Sequence, residues 1–169
     1  MPLSTADFAA LGDTPITVQS TAFPNVYLRL YGAEVTSSTN SGGGTVNCQY
    51  GVGPYEKYRL RAQPDGLFSF ESATFPNVFL RADGTGVTVT GPGGGTVNCQ
   101  YGAGPYEKYK LRAQADGSFS FELATFPNVY LRLVAHGVTA FTDPGSGIVN
   151  CQFNANGGGH EKFFLNVAS

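Results

Sequence analysis

The sequence predicts an all-β protein built from three copies of one unit, and three observations lead to that prediction. The ten residues GGGTVNCQYG at 42–51 recur unchanged at 93–102, and a divergent copy, GSGIVNCQFN, occupies 145–154. A second motif, FPNV followed by an aromatic residue and LR, recurs at intervals of 52 and 51 residues. Apolar and polar residues also alternate with a period of two, and no segment has a convincing helical period.

Each unit contains four segments with the alternation of a half-buried strand. In LFSFES, for example, Phe68 and Phe70 fall on the face opposite Ser69. NVYLRL, TVNCQY and EKYRLRAQ alternate in the same way. Asp-Gly pairs between such segments predict tight turns, and the Asn of each FPN motif is interpreted as a turn residue.

Four strands in each of three units give twelve strands, and closing the units about one axis buries their inward faces together. ITVQS at Ile16–Ser20 occupies the place that FSFES takes in the later units, so the first repeat begins with this strand. The sequence therefore predicts a β-trefoil with pseudo-threefold symmetry. The predicted organisation is a single domain of residues 1–169, with an N-terminal extension at 1–15 and repeats at about 16–67, 68–118 and 119–169.

Several motifs resemble those of the fascin-like branch of β-trefoil proteins, the actin-crosslinking superfamily. They are YLR before a glycine-bounded turn, GPYEKY, and DG followed after one residue by FSFE. The similarity extends over all three units. It implies a six-stranded barrel capped by three hairpins. Proteins with this fold bind sugars, actin, membranes or proteases with their loops and outer strands. The GGGTVNCQ segment departs from these motifs.

The composition excludes several classes of protein. Hydrophobic residues make up 41% of the 169 residues, which is too many for a disordered chain. A net charge of −2 gives no field to attract nucleic acid or an anionic membrane. No apolar run approaches the roughly 18 residues of a membrane span, and the start of the chain lacks signal-peptide features. We expect no nucleic-acid binding, no membrane insertion, and a protein that is cytoplasmic or released without a signal peptide.

Three cysteines occupy equivalent positions in the three units, at Cys48, Cys99 and Cys151. Because they are odd in number and alternate with apolar residues, we expect free thiols that pack as small buried hydrophobes. A trigonal metal site would need supporting groups, and no histidine or carboxylate recurs beside the cysteines. No metal and no cofactor is therefore predicted.

No set of residues with the pattern of a catalytic site emerges from the repeats. One glutamate recurs in each unit, at Glu56, Glu107 and Glu161, and a single carboxylate is not an acid–base pair. We interpret these glutamates as structural groups that accept backbone N–H bonds beside a Gly-Pro turn. The sequence indicates a binding protein and not an enzyme.

Neutral amides beside the glycine turn predict carbohydrate binding. The Asn and Gln of NCQ are expected to point outward and bond to sugar hydroxyls, with the Tyr of GPYEK stacking on the apolar face of the ring. A hydrogen bond from these amides to the glycine loop is the alternative. The third unit has His for Tyr and GSG for GGG, so one of up to three sites is expected to be altered. The candidate ligand-binding residues are Asn47, Gln49, Tyr55, Asn98, Gln100, Tyr106, Asn150, Gln152 and His160.

The ten basic residues lie in repeat register, and they provide an alternative function. Those of EKYRLR predict a basic stripe on the outward strand face, suited to an acidic partner such as actin. A fascin-like cytoskeletal module is therefore the second hypothesis. A protease inhibitor acting through a loop is a third, although no distinctive loop supports it.

Overall fold

A computed structural model describes residues 2–89, 93–153 and 159–168 of the chain. These residues form twelve strands and five short 3₁₀ helices. None of these helices is long and apolar enough to cross a membrane. The strands are β1 Ile16–Ser20, β2 Val26–Tyr31, β3 Thr45–Tyr50, β4 Tyr58–Ala62, β5 Phe68–Ser72, β6 Val78–Asp83, β7 Thr96–Tyr101, β8 Tyr109–Ala113, β9 Phe119–Leu123, β10 Val129–Val134, β11 Ile148–Phe153 and β12 Phe163–Val167. The 3₁₀ helices are Thr5–Ala10, Pro54–Glu56, Pro64–Gly66, Pro105–Glu107 and Gly159–Glu161.

Six of the strands close into a barrel. β4 pairs with β5, β8 with β9 and β12 with β1, each over five antiparallel positions. Shorter contacts join these pairs into a ring, because β1 also pairs with β4, β5 with β8 and β9 with β12. A closed ring leaves no barrel strand with an open edge.

The other six strands form three hairpins, β2–β3, β6–β7 and β10–β11, each with six antiparallel pairs. Each hairpin is joined to the barrel through a pairing of its first strand with β1, β5 or β9. The second strands β3, β7 and β11 contact one another, so the hairpins converge over one end of the barrel. The predicted closure of three four-stranded units into one β body is confirmed.

Large aromatic side chains fill the barrel. The rings of Phe70 and Phe121 are 4.8 Å apart, and those of Phe121 and Phe163 are 4.9 Å apart. Tyr58 and Tyr109 are fully buried, and their hydroxyls donate hydrogen bonds of 2.8 and 3.0 Å to backbone carbonyls of β2 and β6. Each buried ring stabilises the fold by about 1.5–3 kcal/mol, so the barrel interior dominates the hydrophobic core.

The turn predictions are confirmed by the backbone angles. Asn25, Asn77 and Asn128 of the FPN motifs have φ values of 62°, 65° and 65°, a left-handed conformation that asparagine tolerates better than most residues. In the Asp-Gly pair of the first unit, Asp65 and Gly66 have φ values of 66° and 74°. These residues were therefore interpreted correctly as turn residues.

The N-terminal segment packs on the barrel end that carries the β4–β5 and β8–β9 turns. Leu3 donates a backbone hydrogen bond of 2.6 Å to β12, and the helix Thr5–Ala10 follows. The ring of Phe8 in that helix lies 5.3 Å from the rings of both Phe68 and Phe119. The segment thus covers apolar side chains at this end of the barrel, a role that its sequence did not indicate.

Candidate functional site

The repeated glycine and cysteine motifs join each repeat to the next. Gly43 and Cys99 exchange two backbone hydrogen bonds. The distance from Gly43 N to Cys99 O is 2.9 Å, and that from Cys99 N to Gly43 O is 2.7 Å. Gly94 bonds to Cys151 in the same way, and Ser146 bonds to Cys48, with the same two distances. We call each such pair an inter-repeat bridge. Repeat one bonds to repeat two, two to three, and three back to one.

The first and third residues of GGG must be glycine. Gly42 and Gly44 have φ values of 68° and 69°, and a Cβ atom on them would lie 2.6 Å from the Cys99 carbonyl oxygen and 2.7 Å from the Tyr31 carbonyl oxygen, respectively. A Cβ on the middle glycine, Gly43, would meet no atom closer than 3.8 Å. The serine of GSG therefore stands at the tolerant position, and repeat three keeps the same bridge.

In repeat one, the amides of NCQ hold the loop of repeat three. Asn47 Nδ2 donates to the Pro144 carbonyl at 3.0 Å, and Gln49 Nε2 donates to the Thr142 carbonyl at 2.6 Å. The Thr142 N–H donates back to Gln49 Oε1 at 3.1 Å. Gln49 is 2% exposed, so the prediction that it points outward to solvent is wrong. The loop of another repeat covers it.

Repeat two uses its amides in the same way, on the loop of repeat one. Asn98 Nδ2 donates to the Ser41 carbonyl at 2.9 Å, and Gln100 Oε1 accepts from the Thr39 N–H at 3.0 Å. Gln100 is buried, which again contradicts the predicted outward orientation. The alternative interpretation, a hydrogen bond from the amides to the glycine loop, matches these contacts.

The three cysteines are buried and unpaired. Burial raises the pKa of each thiol to about 12, so all three stay protonated at neutral pH. Each thiol donates a weak hydrogen bond to a backbone carbonyl of the preceding repeat, as Cys99 does to Tyr31 at 3.7 Å. No group of three or more potential metal ligands occurs in residues 2–89, 93–153 and 159–168.

Two of the arginines that recur in repeat register, Arg29 and Arg81, are buried between repeats. Arg29 is 5% exposed, its guanidinium carbon lies 5.3 Å from the centre of the Tyr55 ring, and its Nη1 donates to Asn47 Oδ1 at 3.2 Å. Arg81 is 3% exposed and lies 5.3 Å from the centre of the Tyr106 ring. Local alternation cannot reveal this burial, because the covering loop comes from a different repeat.

Two arginines of the basic stripe predicted on EKYRLR are paired with carboxylates. Arg61 Nε lies 2.8 Å from Glu71 Oε1, and Arg112 Nη2 lies 2.7 Å from Glu122 Oε1. Arg61 also pairs with Asp13. The stripe therefore has less net positive charge at these two positions than its sequence alone suggested.

The recurring glutamates have the predicted structural role. Glu56 Oε1 accepts the Gly53 N–H at 2.6 Å, and Glu107 Oε1 accepts the Gly104 N–H at 2.7 Å. Both side chains are buried, and burial raises the pKa of each carboxyl against the opposing effects of the backbone bond and the nearby arginine. Glu161 in repeat three is also buried, and its pKa is raised for the same reason.

Two related clefts open where a repeat meets the loop of its neighbour. The Arg29 cleft, about 690 Å³, lies between repeats one and three, and the Arg81 cleft, about 500 Å³, lies between repeats two and one. The Arg29 cleft is lined by Arg29, Tyr31, Asn47, Tyr55, Asp143 and Pro144 among others. The Arg81 cleft is lined by Arg81, Gln100, Tyr101, Tyr106, Thr39 and Asn40 among others.

The structure thus brings together some of the predicted residues and adds others. Asn47 joins Tyr55 in one cleft and Gln100 joins Tyr106 in the other, whereas Gln49 and Asn98 face the covering loops. The sequence missed the two arginines and all of the loop residues. The sequence did contain a signal for the arginines, because they recur on the strand that precedes each NCQ strand. In the structure these two strands pair, and Arg29 lies opposite Asn47.

The predicted stacking platforms are already packed within the protein. The Tyr55 ring stacks on Phe75 with centroids 5.5 Å apart, and Arg29 lies over the same ring. Tyr106 lies 5.5 Å from Phe126 and under Arg81. Less ring surface therefore remains for a ligand than the sequence suggested.

At the third junction, His160 takes the place of the tyrosine. Its ring stacks on Phe23 at 5.3 Å and lies 6.1 Å from the ring of His136. Burial lowers the pKa of His160, and the charges of Arg132 and His136 lower it further. Asn150 accepts a hydrogen bond from Arg132 at 3.2 Å, and Gln152 is half-buried. Residues 90–92 and 154–158 lie outside the described residues.

No protein-family model matches the chain, and a comparison with curated proteins finds no match. Solved structures do match. The designed threefold-symmetric protein ThreeFoil has a TM-score of 0.67 and 15% identity, over 90% of this chain and 97% of that one. Polyporus squamosus lectin, bound to the human-type influenza-binding epitope Neu5Acα2-6Galβ1-4GlcNAc, has a TM-score of 0.64 and 14% identity, over 91% of this chain. The fold is a β-trefoil.

A mosquitocidal holotoxin has a TM-score of 0.70 and 9% identity over 93% of this chain. The chain spans 17% of that holotoxin and 49% of the lectin. Likeness at these identities concerns the fold alone. The resemblance to the fascin-like superfamily remains a prediction.

Proposed function

We propose that this protein is a non-enzymatic carbohydrate-binding protein whose binding sites are the clefts between repeats. The observation that carries the proposal is the pair of related clefts, each with an arginine stacked on a tyrosine, an amide and a polar loop. Their volumes, about 690 and about 500 Å³, fall in the range of small-ligand sites.

The chemistry of the clefts suits a saccharide. Phenol rings offer surface to the apolar face of a pyranose, and phenol hydroxyls, amides and loop carbonyls offer hydrogen-bonding groups. The similarity in fold to a lectin that binds a glycan epitope adds support, although it concerns the fold alone.

The arrangement of carboxylates favours binding over catalysis. Glu107 lines the Arg81 cleft, and Glu56 is its counterpart in repeat one; a carboxylate oxygen of each is held by a backbone N–H at the Gly-Pro turn. A group fixed in this way is a structural acceptor, which leaves Asp143 as the single free carboxylate among the lining residues of the Arg29 cleft, whereas an acid–base mechanism calls for two.

A glycan array tests the proposal. We expect labelled protein to bind a subset of glycans, to be displaced by the corresponding free sugar, and to stay bound when salt is raised, because neutral hydrogen bonds are not screened. Absence of binding to any glycan would contradict the proposal. Co-sedimentation with filamentous actin that fades with salt would support the alternative, which the pairing of Arg61 and Arg112 with carboxylates disfavours.

A further inference from the structure

The Arg29 and Arg81 clefts share a framework but differ at three positions on their rims. Tyr31 at the end of β2 is replaced by Asp83 at the end of β6. In the covering loops, Phe141 and Asp143 of repeat three correspond to Ser38 and Asn40 of repeat one when the loops are aligned on their glycine motifs.

Tyr31 gives the Arg29 cleft an exposed aromatic ring in a fixed position. The residue is 37% exposed, and its ring packs edge-on against Tyr55 at 5.0 Å and Phe75 at 5.6 Å. The guanidinium of Arg29 lies 5.5 Å from the ring centre. Because these neighbours hold the ring, a ligand would stack on it with little further loss of side-chain freedom.

Phe141 adds a second exposed ring beside this cleft. It is 59% exposed, and its Cε2 atom lies 3.8 Å from where a Cβ on Gly53 would stand, two residues before Tyr55. The equivalent position in the loop over the Arg81 cleft is a serine, Ser38. Only the Arg29 cleft of this pair therefore has an aromatic side chain at that loop position.

The acidic groups of the two clefts are also used differently. Asp83 Oδ1 accepts from the Thr85 N–H and hydroxyl at 3.0 and 2.6 Å, and its Oδ2 lies 3.6 Å from Arg81 Nη2. In the Arg29 cleft the backbone carbonyl of Asp143 accepts from Arg29 at 3.3 Å. Within the described part of the chain, the Asp143 carboxylate makes no hydrogen bond or ion pair, so it is available to a ligand.

We infer that the Arg29 cleft is the principal saccharide site and that it takes a neutral pyranose. The sugar stacks its apolar face on Tyr31, beside Phe141, and two adjacent hydroxyls donate to the Asp143 carboxylate. An acidic sugar is disfavoured, because its carboxylate would meet that of Asp143. The Arg81 cleft binds such sugars weakly, because the Asp83 carboxylate is engaged and no aromatic ring stands at the positions equivalent to Tyr31 and Phe141. This inference rests on the proposed carbohydrate-binding function.

Protein-observed NMR with methyl pyranosides of galactose, glucose, mannose and N-acetylglucosamine tests the inference. We expect at least one of them to shift the amide signals of residues 141–145 and Tyr31, with smaller changes at residues 38–40 and Asp83. Replacing Tyr31→Ala should weaken the affinity by about tenfold or more, since aromatic anchors dominate such contacts. Tyr31→Phe should retain most of it.

Tyr101→Ala is the matched control, because Tyr101 is a similarly exposed phenol, 36%, in the Arg81 cleft. Because it lies in the other cleft, it should leave unchanged the affinity measured from the signals of residues 141–145. The triple variant Ser38→Phe, Asn40→Asp, Asp83→Tyr transfers the rim of the Arg29 cleft to the Arg81 cleft. The supporting rings are already present there, because Tyr106 and Phe126 are the equivalents of Tyr55 and Phe75. It should gain a second binding event, which loss of folding cannot imitate.

Equal shifts at both clefts of the natural protein would overturn the inference and leave the carbohydrate function standing. So would an unchanged affinity in Tyr31→Ala, or a triple variant that folds and still binds one sugar. If no pyranoside on the panel shifts any amide and no glycan binds on the array, the carbohydrate function itself fails, and the inference with it.

Discussion

The inter-repeat bridges and the rims of the clefts are close together, yet the bridges are the same in all three repeats and the rims are not. All three bridges have the same pair of backbone hydrogen bonds, 2.7 and 2.9 Å, and the same flanking glycines. The rims, by contrast, carry Tyr31 and Phe141 at one junction and Asp83 and Ser38 at another. The repeated residues build the closed fold, and the residues that break the repetition give each cleft its own chemistry.

The physical reason is that ring closure demands equal parts. Each bridge must bring one loop to the same distance from the next repeat, and a change in one would be felt by the other two. A cleft rim is under no such demand, because its side chains face solvent. Changes at the bridge should therefore affect stability, and changes at the rim should affect binding.

The largest expected effect is at a bridge glycine. Gly44→Ala places a Cβ 2.7 Å from the Tyr31 carbonyl oxygen and 2.8 Å from Cys99 Sγ, on a residue with φ of 69°. Backbone strain and overpacking together should lower the free energy of unfolding by about 3 kcal/mol or more. Urea denaturation followed by circular dichroism measures the change.

Gly43→Ser is the matched control, because φ at Gly43 is not positive, its nearest neighbour would be 3.8 Å away, and repeat three has Ser146 there. Its stability should stay within about 0.5 kcal/mol of the natural protein. Similar losses for the two variants would mean that the bridges do not depend on the flanking glycines.

A smaller loss is expected when the amide that holds a covering loop is removed. Gln49→Ala deletes two part-buried hydrogen bonds, one to the Thr142 carbonyl and one from the Thr142 N–H. The cost should be about 1–3 kcal/mol. Thermal and urea unfolding measure it, and amide hydrogen exchange should rise at Thr142.

Gln63→Ala serves for comparison, because the Gln63 side chain makes no hydrogen bond to another residue in the described ranges. Its unfolding free energy should change by less than about 0.5 kcal/mol. If Gln49→Ala proved equally harmless, the loop would be held by its backbone bridge alone.

The smallest expected effect concerns how the free energy of unfolding depends on pH, which should have opposite signs for two buried glutamates. Burial raises the pKa of Glu56, so the natural protein loses stability relative to Glu56→Gln as pH rises from the ordinary value of 4.5 through the raised one. Burial also acts to raise the pKa of Glu122, but the Asn128 N–H and Arg112 outweigh it and lower that pKa. Relative to Glu122→Gln, the natural protein should gain stability with rising pH.

Urea denaturation at several values between about pH 3 and pH 7 compares the two variants with the natural protein. The two difference curves should slope in opposite directions, each changing by about 1 kcal/mol or less. Parallel curves would show that Glu56 is held as a stabilised carboxylate, as Glu122 is.

The sequence predicted the closed three-repeat fold because its determinants are local. The alternation in LFSFES, the turns at the FPN asparagines and the buried cysteines all follow from neighbouring residues. Gln49 was misjudged, and the burial of Arg29 was missed, because both look like ordinary polar residues of a strand. They are buried by a loop that is distant in sequence, with Asn47 bonding to Pro144 across 97 positions. No periodicity within a strand reports that contact.

The same reason explains what was missed in the site and at the N-terminus. Tyr31 and Asp143 belong to one cleft only after the third repeat has closed on the first. Phe8 lies in a short helix without a repeated pattern, and its contact with Phe68 and Phe119 depends on where the barrel opens.

The cyclic order of the bridges has a consequence for synthesis of the chain. Tyr31 and Tyr55 belong to the first repeat, whereas Asp143 and Pro144, which complete their cleft, leave the ribosome two repeats later. Until then Arg29 has no carbonyl from repeat three to bond. A nascent or truncated chain of two repeats would therefore hold half of this binding site, and affinity for a ligand there would mark a molecule whose ring has closed.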